Sequence, residues 1–126
     1  MKLELFAGIL LALILIAAAG NLIVLTSLIR QITDLAQEAG RDAFDENWLE
    51  AEDAAETAMT LWTKYDVYTE IILRQSETDR VTEALGMLLS AVYNRESGTS
   101  RGAADHVTEV LEHLLESETP KAKSLF

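Results

Sequence analysis

Residues 12–29 read ALILIAAAGNLIVLTSLI, and the question they pose is whether a cell removes this stretch or keeps it. Ala17, Ala18, Ala19 and Gly20 resemble the small-residue end of a secretion signal. A cleaved signal, however, has an apolar region of about 7–15 residues followed by a polar mature start. Here Leu22, Ile23, Val24, Leu25, Leu28 and Ile29 continue the apolar character past the small residues. Cutting after Ala19 would leave an apolar N-terminus, so the stretch reads as a retained signal anchor. Residues 5–29 carry no formal charge. As a helix they would be about 37 Å long, more than a hydrocarbon core of about 30 Å.

Two features inside the anchor invite functional readings. Asn21 is able to hydrogen-bond to another membrane helix, but the preferred reading sets it near the far interface, where water reaches it. Gly8 and Ala12 form a small-xxx-small pair that allows close helix packing, but Ala- and Gly-rich spans contain such pairs by chance. Orientation rests on few charges. Lys2 and the terminal amine precede the span, opposed by Glu4, and Arg30 and Arg41 follow it among Asp34, Glu38 and Asp42. This slight bias favours a cytoplasmic N-terminus and an extracytoplasmic domain from Arg30 onward.

The remaining charge is lopsided. All of the net −11 lies from Arg30 onward. Nucleic-acid binding needs a basic footprint, which is missing. An anionic membrane surface would repel so acidic a domain, whose charge suits solvation or cationic partners. The chain has no cysteine, which excludes disulfides, thiolate catalysis and Cys-ligated metal sites.

The pattern beyond the anchor is helical throughout, with one proline, Pro120. The span is expected to continue through the stripe Leu28, Ile32, Leu35 and Ala39 and to stop at Gly40. A second helix starts near residues 45–47 and lines up Trp48, Ala51, Ala55, Ala58, Met59, Trp62 and Tyr65; it is free to extend through Val67, Tyr68, Ile71 and Ile72. Ser76, Glu77, Thr78 and Asp79 supply capping groups for a third, whose face is Val81, Ala84, Leu85, Leu88, Leu89 and Val92. Residues 94–102, NRESGTSRG, read as a flexible loop. A last helix follows with Ala103, Val107, Val110, Leu111, Leu114 and Leu115 inward, and is expected to end near Ser117, before Pro120. Each helix is apolar on one side, so each must cover another. The expected fold is all-α: a transmembrane signal anchor over residues 1–29 and a small, acidic, antiparallel helical bundle over residues 30–126.

Candidate chemistry is sparse. His106 and His113 lie two turns apart on one helix, with Glu109 and Glu116 near them. Rings at that spacing sit about 10 Å apart, too far for one ion, so they read as solvated or bundle-edge side chains. Glu70, flanked by Tyr68, Ile71 and Ile72, is the carboxylate whose neighbours most suggest an inward position, but the preferred reading is an exposed acid on a helix. Trp48 and Trp62, about four turns apart, suit core packing. Nucleophile-elbow, P-loop, zincin and dinucleotide motifs are missing. No catalytic, cofactor-binding or metal residue is assigned, and no enzyme activity is expected. Lys121 and Lys123 precede Leu125 and Phe126 in a tail that suits docking back onto the bundle or onto a partner.

The order of features resembles a family, the bacterial domain of unknown function 4363. The pieces that carry the resemblance are Asn47-Trp48-Leu49-Glu50-Ala51-Glu52, then Trp62, then residues 111–118, LEHLLESE, then Ser124-Leu125-Phe126. The resemblance implies a small membrane-anchored helical protein, found mostly in Gram-positive bacteria, with no assigned activity. Members tend to carry a mid-chain His after an aromatic–Ile pair, whereas this chain has Ile72-Leu73-Arg74-Gln75 there. The functional expectation is a non-enzymatic interaction or accessory module at the bacterial cell envelope. It would be held in the bilayer through residues 5–29 beside a membrane-protein partner. The alternative is an extracytoplasmic sensor binding a cation or small ligand between helices.

Overall fold

The structure, a computed structural model, describes residues 2–65 and 75–125. Four helices fill the described residues: α1 (Lys2–Phe44), α2 (Trp48–Lys64), α3 (Gln75–Tyr93) and α4 (Ser97–Leu125). The proposed continuation of α2 through Val67–Ile72, with Glu70, lies outside them. The helices run up, down, up and down. α1 and α3 each pack against both α2 and α4, so the four stand at the corners of a square with α1 opposite α3. This is the antiparallel bundle that one-sided apolar faces require.

α1 is a single helix of 43 residues, about 64 Å long. Most of its buried positions follow a three-four spacing, Leu25, Ile29, Ile32, Ala36, Ala39 and Ala43, with Leu28 and Gly40 buried beside them. That is the seam of a left-handed bundle, with knobs recurring every 3.5 residues. The same seam extends toward the N-terminus through Leu22, Ala18 and Leu15, which are half-buried among exposed neighbours. The bundle core therefore reaches up α1 to Leu25, so the last five residues of the stretch that hydropathy alone assigns to the anchor over residues 1–29 belong to the bundle.

Gly40 does not stop the helix. It lies inside α1, where a Cβ would stand 2.7 Å from that of Ala104 in α4. The glycine is there for close helix approach, not for a left-handed turn. The turn falls later, at Glu46, with φ 62°. There Asn47 N–H donates to the Asp42 carbonyl at 2.7 Å and Glu46 N–H to that of Ala43 at 3.1 Å. These two bonds form a Schellman closure, which satisfies carbonyls that the helix end leaves free. Arg95, with φ 56°, repeats it after α3, where Glu96 N–H reaches the Ala91 carbonyl and Arg95 N–H that of Val92. Only residues 94–96 separate α3 from α4, so most of the expected loop over 94–102 is the first turn and a half of a helix. The small polar residues there read as a loop by composition, yet Ser100 is fully buried in the helix that they open.

α4 also outruns its expected end near Ser117 and passes through Pro120 to Leu125. Proline removes one donor and crowds the preceding turn, at a cost of about 3 kcal/mol in a helix interior. The turns on either side keep their own hydrogen bonds, so one proline weakens a 29-residue helix without ending it.

The core joins all four helices. Trp62 is its largest fully buried side chain, and its indole N–H donates to Thr82 Oγ1 at 2.9 Å. Val81, Ala84, Leu85, Leu88 and Val92 from α3 meet Ala103, Val107, Leu111 and Leu114 from α4, as their stripes anticipate. α2 contributes almost nothing but alanine, namely Ala51, Ala54, Ala55 and Ala58. Small side chains bring its backbone close to its neighbours, and at its C-terminal end Trp62 supplies the bulk, with Met59, Leu61 and Tyr65 packed partly buried around the core.

Candidate functional site

Two features of the surface stand out. The first is the N-terminal part of α1. Its most apolar 18-residue window has a mean hydropathy of 2.7 and is only 6% buried. Leu3, Leu5, Phe6, Ile9, Leu10, Leu11, Leu13, Ile14 and Ile16 are all exposed. Burying them in water-free surroundings is favourable by about 25 cal/mol for each Å² of apolar surface covered. The bundle leaves this surface bare. Between Glu4 and the core residue Leu25 lie the 20 residues 5–24, about 30 Å of helix, which equals a hydrocarbon core. The excess length seen in the sequence belongs to the bundle.

The second feature is a groove of about 700 Å³ between α3 and α4. From α3, Glu77, Arg80, Glu83 and Ala84 line one wall, at i, i+3, i+6 and i+7. From α4, His106, Glu109, Val110, His113 and Leu114 line the other, with Glu112 and Glu116 at its edge. The buried side chains of Ala84 and Leu114 form an apolar floor. Five carboxylates face one guanidinium and two imidazoles. Glu77, in the first turn of α3, has a buried Oε2 without a hydrogen-bond partner; the positive end of the helix dipole favours a carboxylate there.

The sequence places His106, Glu109, His113 and Glu116 on one side of a helix, and the structure brings all four to this groove. Both histidines are exposed at the bundle edge. Among the described residues, no three His, Asp or Glu side chains come together to hold a metal ion. In the sequence Glu77 reads only as a capping group and Arg80 and Glu83 carry no signal of their own; the three become one wall only when α4 lies beside α3. Trp62 is core, as expected. Trp48 is half-buried at the end of the bundle remote from the apolar segment, with the Arg95 guanidinium 5.8 Å from its ring centroid. Nearby, Arg101 lies 4.8 Å over exposed Phe44. The two interhelical turns and these cation–aromatic pairs form the remote tip of the bundle.

Besides the Trp62–Thr82 bond, a second polar contact outside the groove links α2 to α3. Tyr93 hydroxyl donates to Glu56 Oε1 at 2.5 Å. This bond holds the phenol above its ordinary pKa, helped by desolvation and by the negative charges of Glu56 and Glu52.

An antiparallel four-helix bundle, whose first helix extends as a bare apolar segment long enough to cross a bilayer, is the class of protein that these features define. The family model described as Domain of unknown function (DUF4363) matches residues 22–125, and the chain belongs to that family. The match begins at Leu22, where the seam of α1 becomes continuous with the bundle. No curated protein and no solved structure matches the chain.

Proposed function

We propose that the protein is a non-enzymatic interaction module of the bacterial cell envelope, anchored by α1 and acting beside a membrane-protein partner. The observation that carries this reading is the division of one unbroken helix. Its N-terminal half is bare and apolar, and its C-terminal half is one quarter of a packed core. A bundle joined to its anchor without a linker is held at a set height and confined to two dimensions. Confinement raises its effective concentration near a partner in the same membrane. In this reading the N-terminus is cytoplasmic and the acidic bundle lies outside, in accord with the slight excess of positive charge before the span.

The test is cross-linking in living cells of the full chain, tagged at its C-terminus, followed by extraction from membranes and mass spectrometry. The expected result is an intact N-terminal peptide and a reproducible membrane partner. A chain that begins at Gly20 or Asn21 and comes alone would overturn the reading. So would full function from a fragment lacking the apolar segment.

The groove between α3 and α4 favours a second reading, a sensor of cationic ligands. Its acidic rim and apolar floor suit an organic cation better than a bare metal ion, for which the described residues supply no ligand set. Millimolar spermine is expected to raise the melting temperature of the detergent-solubilised chain by several degrees, with calcium, magnesium and zinc having less effect. An unchanged melting curve in spermine would remove this reading.

A further inference from the structure

A shallow groove of about 430 Å³ runs along α1 where the apolar segment gives way to the bundle. Ile23, Ser27, Arg30 and Asp34 form its line, at i, i+4, i+7 and i+11, so they stand one above another on a single helix face. That face is turned about half a revolution from the seam of Leu25, Ile29 and Ile32, and all four residues are exposed. Whatever fills the groove therefore comes from outside the bundle. Two hydrogen bonds fix its flanks. Thr26 hydroxyl donates to the Leu22 carbonyl at 2.7 Å. Gln31 Nε2 donates to Ser27 Oγ at 3.4 Å, which leaves the Ser27 proton to be donated elsewhere.

The heights of these groups are set by one helix. The bare apolar segment ends at Val24. Beyond it, along the axis, Ser27 stands about 4.5 Å, Arg30 about 9 Å and Asp34 about 15 Å. The headgroup layer on each side of a hydrocarbon core is about 5–7 Å deep. Helical side chains lean toward the N-terminus and cover the turn below their own Cα. The Arg30 guanidinium therefore comes down into the headgroup layer over Ser27, and the Asp34 carboxylate follows one turn further out. Arg30 is the only formal charge between Glu4 and Asp34. Among the described residues, neither Arg30 nor Asp34 has an ion-pair partner.

Outward from the membrane, the groove thus presents an alkyl group, a hydroxyl donor, a guanidinium and a carboxylate. A phospholipid with a primary ammonium presents acyl chain, ester, phosphate and ammonium in the same order. From this match, and resting on the reading of α1 as a membrane span, we infer that the groove is a headgroup site for a zwitterionic aminophospholipid of the phosphatidylethanolamine class. Arg30 and Ser27 donate to the phosphate, Asp34 accepts from the ammonium, and Leu22 and Ile23 lie along the acyl chain. The carboxylate at the outer end selects against anionic headgroups, as does the net negative charge of the bundle above it. Choline lacks the N–H that Asp34 would accept. A lipid held at this place fixes the height at which α1 leaves the bilayer.

The test mixes the full chain in detergent with phosphatidylethanolamine, phosphatidylcholine and phosphatidylglycerol of identical acyl chains, and native mass spectrometry reads the lipid that stays bound. Phosphatidylethanolamine is expected to be held about fivefold more tightly than either competitor, the upper range for one exposed ion pair. Asp34→Ala is expected to erase that preference, and Arg30→Gln to weaken all three lipids. Both side chains are exposed, so neither substitution opens the core. Equal retention of the three lipids, a preference for phosphatidylglycerol, or a preference for phosphatidylethanolamine that survives both substitutions overturns the site. The span is checked separately. The chain has no cysteine, so Leu13→Cys takes a nitroxide label uniquely. In vesicles of phosphatidylethanolamine with phosphatidylcholine, relaxation of the label by oxygen, concentrated in lipid, is read against relaxation by a water-soluble nickel chelate. A deep label without headgroup preference overturns the site and leaves the span standing. A water-exposed label overturns both.

Discussion

Gly40 of α1 faces Ala104 of α4 with no room for a second methyl group: a Cβ on Gly40 would stand 2.7 Å from the Ala104 methyl carbon. Helix propensity favours Gly40→Ala by about 1 kcal/mol. Overpacking opposes it by about 1–3 kcal/mol, because two helix backbones must move apart. The steric cost wins, so Gly40→Ala is expected to lower the melting temperature, and Gly40→Val to lower it further. Ala104→Gly should restore much of the loss in the Gly40→Ala background. Thermal unfolding of the four proteins by circular dichroism decides it; additive effects of the two substitutions would show that the helices do not meet there.

The boundary of the independently folding part follows from the seam of α1. A fragment starting at residue 30 loses Leu25, Leu28 and Ile29, all buried. Each such side chain contributes about 1.5–3 kcal/mol when fully buried, so together they are comparable with the 5–15 kcal/mol that stabilises a typical domain. A fragment starting at residue 22 retains them. The longer fragment is expected to unfold cooperatively and the shorter one to show a broad, weak transition in urea. Equal denaturation midpoints would mean that the core stops short of Leu25.

Ser100 is fully buried, and its hydroxyl has no hydrogen-bond partner. Removing an unpaired buried polar group recovers its desolvation penalty, about 1–3 kcal/mol. Ser100→Ala also improves helix propensity. The substitution is expected to stabilise the chain by at least about 1 kcal/mol in chemical denaturation. A loss of stability would reveal a hydrogen bond that the hydroxyl makes.

Tyr93 is expected to ionise above the ordinary value of 10.0, because its proton is shared with Glu56 and the phenolate would face that carboxylate. The sign follows from linkage. A group whose pKa is raised on folding adds stability below its unfolded pKa, and that contribution disappears as pH rises through the folded pKa. The Tyr93–Glu56 bond therefore supports the fold at neutral pH and fades in alkali beyond pH 10. Ultraviolet difference titration against Tyr93→Phe isolates this phenol among the three tyrosines. Glu56→Gln is expected to bring its midpoint down toward 10; an unchanged midpoint would show that the carboxylate does not hold the proton.

Much of the fold was legible in the chain because it is periodic. Val81, Ala84, Leu85, Leu88 and Val92 repeat at helical spacing, and a stripe of that kind can be satisfied only by another helix. The residues that misled did so for local reasons. Gly40 and Pro120 carry strong backbone preferences for stopping a helix, and both lie inside one. Their positions are decided by what packs beside them, which propensity does not contain. The groove was half legible: His106, Glu109 and His113 share a helix face whatever surrounds them. Glu77, Arg80 and Glu83 acquire significance only when α3 is laid against α4.

Composition and periodicity are properties of the chain alone, and they already make the protein helical, acidic and cysteine-free, with an uncharged N-terminal segment of bilayer length. Where that segment ends and the bundle begins is set by packing between helices. Leu22, Ile23, Val24 and Leu25 are indistinguishable by hydropathy, yet Leu25 is enclosed by other helices and Ile23 is bare. Burial is a relation between segments distant in the chain, and it exists only once they have met.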